Sequence, residues 1–264
     1  MKYFDAHCHV QFDPYDADRE ELLARMEEEE VGGLVVGVDL ASSRQAHALV
    51  ADRPNLYAAA GLHPNYVLGE EFDEDAFRAL LREEKVVAVG ECGLDNYRPE
   101  DVDAAKGKQR AVFEAHVELA AEADKPLMIH ARPSKGTMDA YRDLIDLLRS
   151  RKKEHGDRLR GDIHFFVGGV EEARDLIDLG FTLSFTAVLT FARDYDEVVR
   201  YAPLASILAE TDAPYIAPAS RRGKRNDPLA AIEVAHAIAD IRSEERETVR
   251  DVLLANAQRL FRLK

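Results

Sequence analysis

Short apolar runs alternate with longer amphipathic segments along the whole chain. The runs at 3–9, 33–38, 56–61, 86–91, 126–130, 162–166, 182–186 and 207–211 read as strands. Several are almost continuously apolar, the pattern of parallel strands covered on both faces by helices. Between them the spacing predicts helices over 18–30, 72–82, 104–123, 137–151, 170–179 and 194–201. The first carries Leu22, Leu23 and Met26 on one stripe, and the fourth repeats Met138, Tyr141, Leu144, Ile145 and Leu148 at helical spacing. Ser42 is placed to cap a helix ending near Ala51. Asp227 followed by Pro228 opens a helix to about Ile241, and Ser243 opens the last one, with Glu244 and Glu245 in its first turn. Eight such units predict a (β/α)8 TIM-type barrel filling 1–264 as one domain.

Composition narrows the class. The chain has 264 residues, is 46% hydrophobic and has no Pro/Gly/Ser-rich linker, enough for one large core. Two cysteines, Cys8 and Cys92, argue against a disulfide framework and suit a reducing compartment. No charged-then-apolar leader precedes Tyr3, and no apolar run approaches the roughly 20 residues of a membrane span. A cytoplasmic protein is expected. The formal charge of −15 repels nucleic acid over most of the surface, so a polyanionic substrate would need a local cationic site.

In such barrels chemistry sits at the C-terminal ends of the strands. The first strand, Phe4-Asp5-Ala6-His7-Cys8-His9, places two imidazoles on one face by strand alternation, with Phe4, Ala6 and Cys8 on the other. Four other strands also end in ligand-type residues. Strand four ends Gly90-Glu91-Cys92-Gly93-Leu94-Asp95, strand five Ile129-His130-Ala131-Arg132, strand six carries His164, and strand eight ends Glu210-Thr211-Asp212-Ala213-Pro214. Imidazole and carboxylate ligands suit zinc, manganese or iron, and carboxylate-rich sites also take magnesium. A carboxylate can bridge two cations. The predicted centre therefore holds two divalent metal ions: one bound by His7, His9, Glu91 and Asp212, the other by Glu91, His130 and His164. Such a pair activates a water for a displacement reaction, with Asp212 as the expected general base.

These segments resemble the TatD family of metal-dependent deoxyribonucleases. The resemblance covers nearly the whole chain: Asp5-Ala6-His7-Cys8-His9, Gly61-Leu62-His63-Pro64, Gly90 to Asp95, Lys125-Pro126 leading to His130, Glu210 to Tyr215, and Asn256-Ala257-Gln258-Arg259-Leu260-Phe261. It implies the same ligand roles and hydrolysis of phosphodiester bonds, typically exonucleolytic on DNA. The expected partner is therefore a nucleic-acid end, most simply single-stranded DNA. Three departures from the family pattern bear on substrate: Gln11 in place of Asp or Asn, Asn65 in place of a histidine, and Phe165-Phe166-Val167-Gly168-Gly169 in place of a Ser-bearing turn.

Substrate contacts are expected from His63 at the end of strand three and from Arg132, whose guanidinium could grip phosphate in bidentate fashion. Arg222 and Arg225 are expected to form a phosphate seat within Arg221-Arg222-Gly223-Lys224-Arg225 after strand eight. The second basic stretch, from Arg149 to Lys153, leads into strand six and belongs to the opposite barrel face. Asp95 either orients a ligand or caps a turn. Cys8 and Cys92 read as packing, and His47, His116, His155 and His236 as structural or solvated. Two other functions stay open. One is an amide or ester hydrolase using the same water, for example on D-aminoacyl-tRNA, although Glu91 stands where related barrels use a modified lysine. The other is a metal-stabilised binding protein without activity.

Overall fold

The structure is a computed structural model that describes residues 1–99 and 102–264. Eight strands follow one another around a barrel: β1 (Tyr3–Cys8), β2 (Val31–Val36), β3 (Leu56–Ala60), β4 (Val86–Asp95), β5 (Leu127–Arg132), β6 (Gly161–His164), β7 (Thr182–Phe185) and β8 (Ile207–Ala209). Every neighbouring pair is parallel. A parallel bridge between Cys8 and Ala213 closes the ring. There the His9 amide donates to the Ala213 carbonyl (2.8 Å) and the Asp212 amide to the His7 carbonyl (2.9 Å).

Helices α1 (Arg19–Glu28), α2 (Leu40–Val50), α3 (Glu74–Leu80), α4 (Val102–Ala123), α5 (Asp139–His155), α6 (Val170–Asp178), α7 (Asp196–Tyr201), α8 (Ala231–Arg242) and α9 (Arg246–Phe261) cover the outside. Two capping expectations change. Asp39, not Ser42, is the N-cap of α2: its carboxylate accepts the Ser42 amide at 2.6 Å while the Ser42 hydroxyl accepts the Asp39 amide at 3.1 Å. Ser243 ends α8 in the left-handed conformation (φ 56°) instead of opening α9. No helix among the described residues is long and apolar enough to cross a membrane.

Two apolar layers result. Outward positions such as Val31 and Val35, Leu56 and Ala58, and Leu127 and Ile129 pack against the helices. Leu34, Val36, Tyr57, Ala59, Ala88, Met128 and Leu208 fill the barrel interior, and α9 adds Ala257, Leu260 and Phe261 to the same cluster. Burying a side chain the size of Phe261 contributes roughly 2–3 kcal/mol. The β6–β8 side of the interior is polar instead. Buried Asp162 accepts hydrogen bonds from Thr182 and Ser184, both at 2.6 Å, and Ser184 lies 2.7 Å from buried Glu210.

Strict alternation fails on β1. Phe4 and Ala6 belong to the interior cluster, whereas Cys8 belongs to the helix-facing one. The pairing of β1 with β2 shifts register between Asp5 and Cys8. This irregularity turns His7 and His9 inward above Phe4 and Ala6, where simple alternation would have put the two pairs on opposite faces.

Candidate metal centre

Glu91 is the hub. Its Oε2 lies 3.4 Å from His7 Nε2 and 3.9 Å from His9 Nε2. Its Oε1 lies 3.0 Å from His130 Nδ1, 3.3 Å from His63 Nε2 and 3.9 Å from His164 Nε2. Asp212 closes the ring, with Oδ1 3.5 Å from His9 Nε2 and 4.0 Å from His164 Nε2. Local backbone makes the close approach of β4 and β5 possible. At Gly93 (φ 136°) a Cβ would stand 2.1 Å from the His130 carbonyl oxygen, so no other residue fits between Glu91 and His130 without moving one of them.

Neighbouring groups fix which ring nitrogen faces the cluster. His9 Nδ1 donates to the Val36 carbonyl at 2.8 Å, which leaves the Nε2 lone pair pointing at Glu91 and Asp212. His164 Nδ1 donates to Glu210 at 2.9 Å, and Glu210 is itself held by the Phe165 amide at 2.7 Å. His130 Nε2 is held by Asp95 at 3.1 Å, which leaves Nδ1 for the cluster. Asp95 also accepts the Tyr97 and Arg98 amides, each at 2.9 Å, so it both orients a histidine and caps a turn. His63 is set the other way. Its Nδ1 accepts the Asn65 amide at 3.1 Å, so the proton sits on Nε2 and is aimed at Glu91.

The protonation pattern follows from burial and charge. Burial and the neighbouring His164 push His7 down to about 4, so it is a neutral donor at pH 7. Burial also opposes charge on His164, yet hydrogen-bonded Glu210, with Glu91 and Asp212 nearby, lifts it to about 10. Burial would raise Glu91 and Asp212, but the surrounding histidines hold both below the ordinary carboxylate range. Two ionised carboxylates, Glu91 and Asp212, thus converge on buried imidazoles, and neither has a Lys or Arg partner among the described residues.

That donor set fits divalent cations. His7 Nδ1 is buried without a hydrogen-bond partner among the described residues, and its Nε2 meets only His9 (3.2 Å) and Glu91. Among the described residues the ring's polar contacts are thus all to members of the cluster, and it stacks on His164, another member. His7, His9 and Glu91 can hold one ion; Glu91 and His130 offer donors to a second, with His63 beside them as an N–H donor. The carboxylates that force a proton onto His164 would be satisfied by the same cations.

The centre lies at the base of a cavity of about 560 Å³. His63 and Arg132, expected on the substrate side, both line it, together with Arg98, Tyr66 and Tyr215. Arg222 and Arg225 do not. Arg222 packs over the Phe191 ring at 3.8 Å, and Arg225 pairs with Asp18 at 2.8 Å and covers Tyr15. Gln11 is also displaced from its expected place beside substrate: it is buried and donates to the Val36 carbonyl at 2.7 Å, the acceptor that also fixes His9. Asn65, Phe165 and Val167, from the other two departures, do line the cavity. Cys8 and Cys92 are buried and face backbone carbonyls. Reading the sequence missed Glu210 as a partner of His164, although it stands two residues before Asp212 on the same face of the strand end.

The comparisons agree with this geometry. The chain matches the TatD related DNase family over residues 4–262. It is 35% identical to the metal-dependent hydrolase YabD of Bacillus subtilis, covering 98% of this chain and 99% of that protein. It is 34% identical to the metal-dependent hydrolase YcfH of Escherichia coli, covering 100% and 97%. The crystal structure of YjjV, a TatD homologue from Escherichia coli, superposes with a TM-score of 0.89 at 28% identity and covers 100% of this chain and 99% of its own. The chain is a metal-dependent hydrolase and belongs to the TatD family.

Proposed function

We propose that the protein hydrolyses phosphodiester bonds at nucleic-acid ends, using two divalent ions, either magnesium, manganese or zinc, that share Glu91. The observation carrying this reading is the division of the Glu91 oxygens between two sets of histidines beneath a cavity with arginines at its wall. Bound there, the ions supply an activated water and positive charge for the phosphoryl oxygens. Asp212 stays ionised and reaches the cavity, so its carboxylate accepts the proton of the attacking water. His63 presents an N–H fixed by the Asn65 amide, a neutral donor for a phosphoryl oxygen. Arg132 and Arg98 place guanidinium charge at the same wall, where phosphate is gripped better than a neutral amide or ester.

The test is an end-labelled oligonucleotide digested with added metal, with chelator, and with metal restored. Metal-restored shortening from one end is expected. Rapid turnover of aminoacyl-tRNA or simple amides, with intact oligonucleotides, would overturn the reading.

A further inference from the structure

A second concavity, of about 610 Å³, opens beside the metal cavity and shares Arg132 and Val167 with it. The β5–α5 loop forms its wall, and Tyr97, Lys135 and Arg142 line it with Arg132. Most arginines of this acidic chain are paired with a carboxylate, as Arg78, Arg151, Arg221 and Arg246 are. Arg132, Lys135 and Arg142 have no carboxylate partner among the described residues. Three cations without a carboxylate partner among the described residues lie along one groove and, in a protein of net charge −15, make a local exception to the surrounding field.

The loop that carries Lys135, between Arg132 at the end of β5 and Arg142 on α5, is braced. Asp139 accepts the Ser134 amide (2.9 Å) and hydroxyl (2.8 Å) and the Thr137 hydroxyl (3.0 Å), and the Ser134 hydroxyl lies 3.1 Å from the Asn96 carbonyl. Its cation partner among the described residues, Lys106, is 3.4 Å away. The carboxylate is thus spent on holding the loop. At the junction of the two cavities the Arg132 guanidinium lies over the Tyr97 ring at 4.2 Å, and Tyr97 remains 52% exposed. Cations tracking a backbone beside an exposed aromatic ring are the combination that binds single strands without reading sequence.

We infer that this groove, through Tyr97, Arg132, Lys135 and Arg142, holds the nucleotides of a single strand that lie beyond the bond being cut. The inference rests on the nuclease reading above and deepens it: the enzyme takes a polynucleotide, not only a terminal phosphodiester. Lys135 and Arg142 meet the strand away from the metals, so they contribute to binding and not to the chemical step.

The experiment measures binding of a fluorescent ten-nucleotide oligothymidylate with phosphorothioate linkages to the metal-loaded enzyme across a salt series. Hydrolysis of bis(p-nitrophenyl) phosphate, which is too small to reach the groove, runs in parallel. The double variant Lys135→Ala/Arg142→Ala is compared with wild type and with Lys153→Ala/Lys2→Ala, which removes the same charge elsewhere. The groove variant is expected to bind about tenfold more weakly, with a log–log salt slope shallower by about 1.4 for two lost contacts. Turnover of the small diester should be unchanged, and the control variant should bind like wild type. Equal affinity and slope for the groove variant and wild type would overturn the groove, as would equal losses in the groove and control variants. If the enzyme binds the strand through the groove but leaves an unmodified oligonucleotide intact, the nuclease reading fails while the groove stands.

Discussion

The two sides of Glu91 are built differently. On the β1–β8 side, His9 is set by a backbone carbonyl, that of Val36, and His7 has no outer partner among the described residues. On the β5–β6 side, each histidine leans on a carboxylate: His130 on Asp95 and His164 on Glu210. A carbonyl fixes the tautomer and adds little charge. A carboxylate fixes the tautomer and also makes the imidazole a stronger base and a stronger ligand. The β5–β6 half is therefore the half whose metal affinity depends on ionisable outer groups, whereas the β1–β8 half depends on chain geometry and on Asp212.

The largest expected effect comes from Asp212, at the edge of the first half. Asp212→Asn should lower kcat by about 10²–10⁴-fold, the usual worth of a positioned base, with a smaller change in KM. Steady-state kinetics on an oligonucleotide will check this, and near-wild-type kcat would move the base elsewhere.

A pH titration then probes, through stability, the end of β3 that carries His63 beside both halves. His116, on α4, accepts the Leu62 amide at 3.0 Å, one residue before His63, and burial lowers it to about 4 from an ordinary 6.5. Its ring is neutral in the folded chain, while the unfolded chain takes up a proton as pH falls. Stability should decline from pH 6.5 down to about 4, by about 3 kcal/mol if this group acts alone. Denaturant unfolding of wild type and His116→Gln should show a weaker acid dependence in the variant.

Asp95→Asn removes the charge behind His130 and should weaken one bound ion by about 10–100-fold while leaving the other unaffected. Metal titration by calorimetry distinguishes that from an equal loss at both. The smallest effect is expected from Gln11→Leu. Gln11 shares the Val36 carbonyl with His9 but is not itself held by charge, so metal affinity should change by less than about threefold.

Much of this was legible in the sequence, and the failures have identifiable causes. Period and spacing disclosed eight units, and the strand-end positions disclosed His7, His9, Glu91, His130, His164 and Asp212, which the fold brings together around Glu91. Alternation misplaced Phe4 and Ala6 because a register shift between Asp5 and Cys8 leaves no mark in residue order. Basic residues in a loop could be counted but not sorted. Arg221 and Arg225 look available in sequence, yet Asp227 and Asp18, distant or across a turn, take them up. Arg132, Lys135 and Arg142 fall in three successive elements, the end of β5, the loop and the start of α5, and only the turn of that loop brings them to one groove. Of the outer partners, Asp95 was legible as a ligand-orienting residue or a turn cap and is both, whereas Glu210 was hidden by Asp212, an acidic residue two positions on with a different role.

We propose above all that Glu91 joins two ions. The direct measurement is the number of divalent ions per chain, by elemental analysis after dialysis against trace metal, in wild type and in Glu91→Ala. Two ions in wild type and at most one in the variant, with circular dichroism unchanged, is the predicted result. One ion in wild type, or two retained without Glu91, would contradict it.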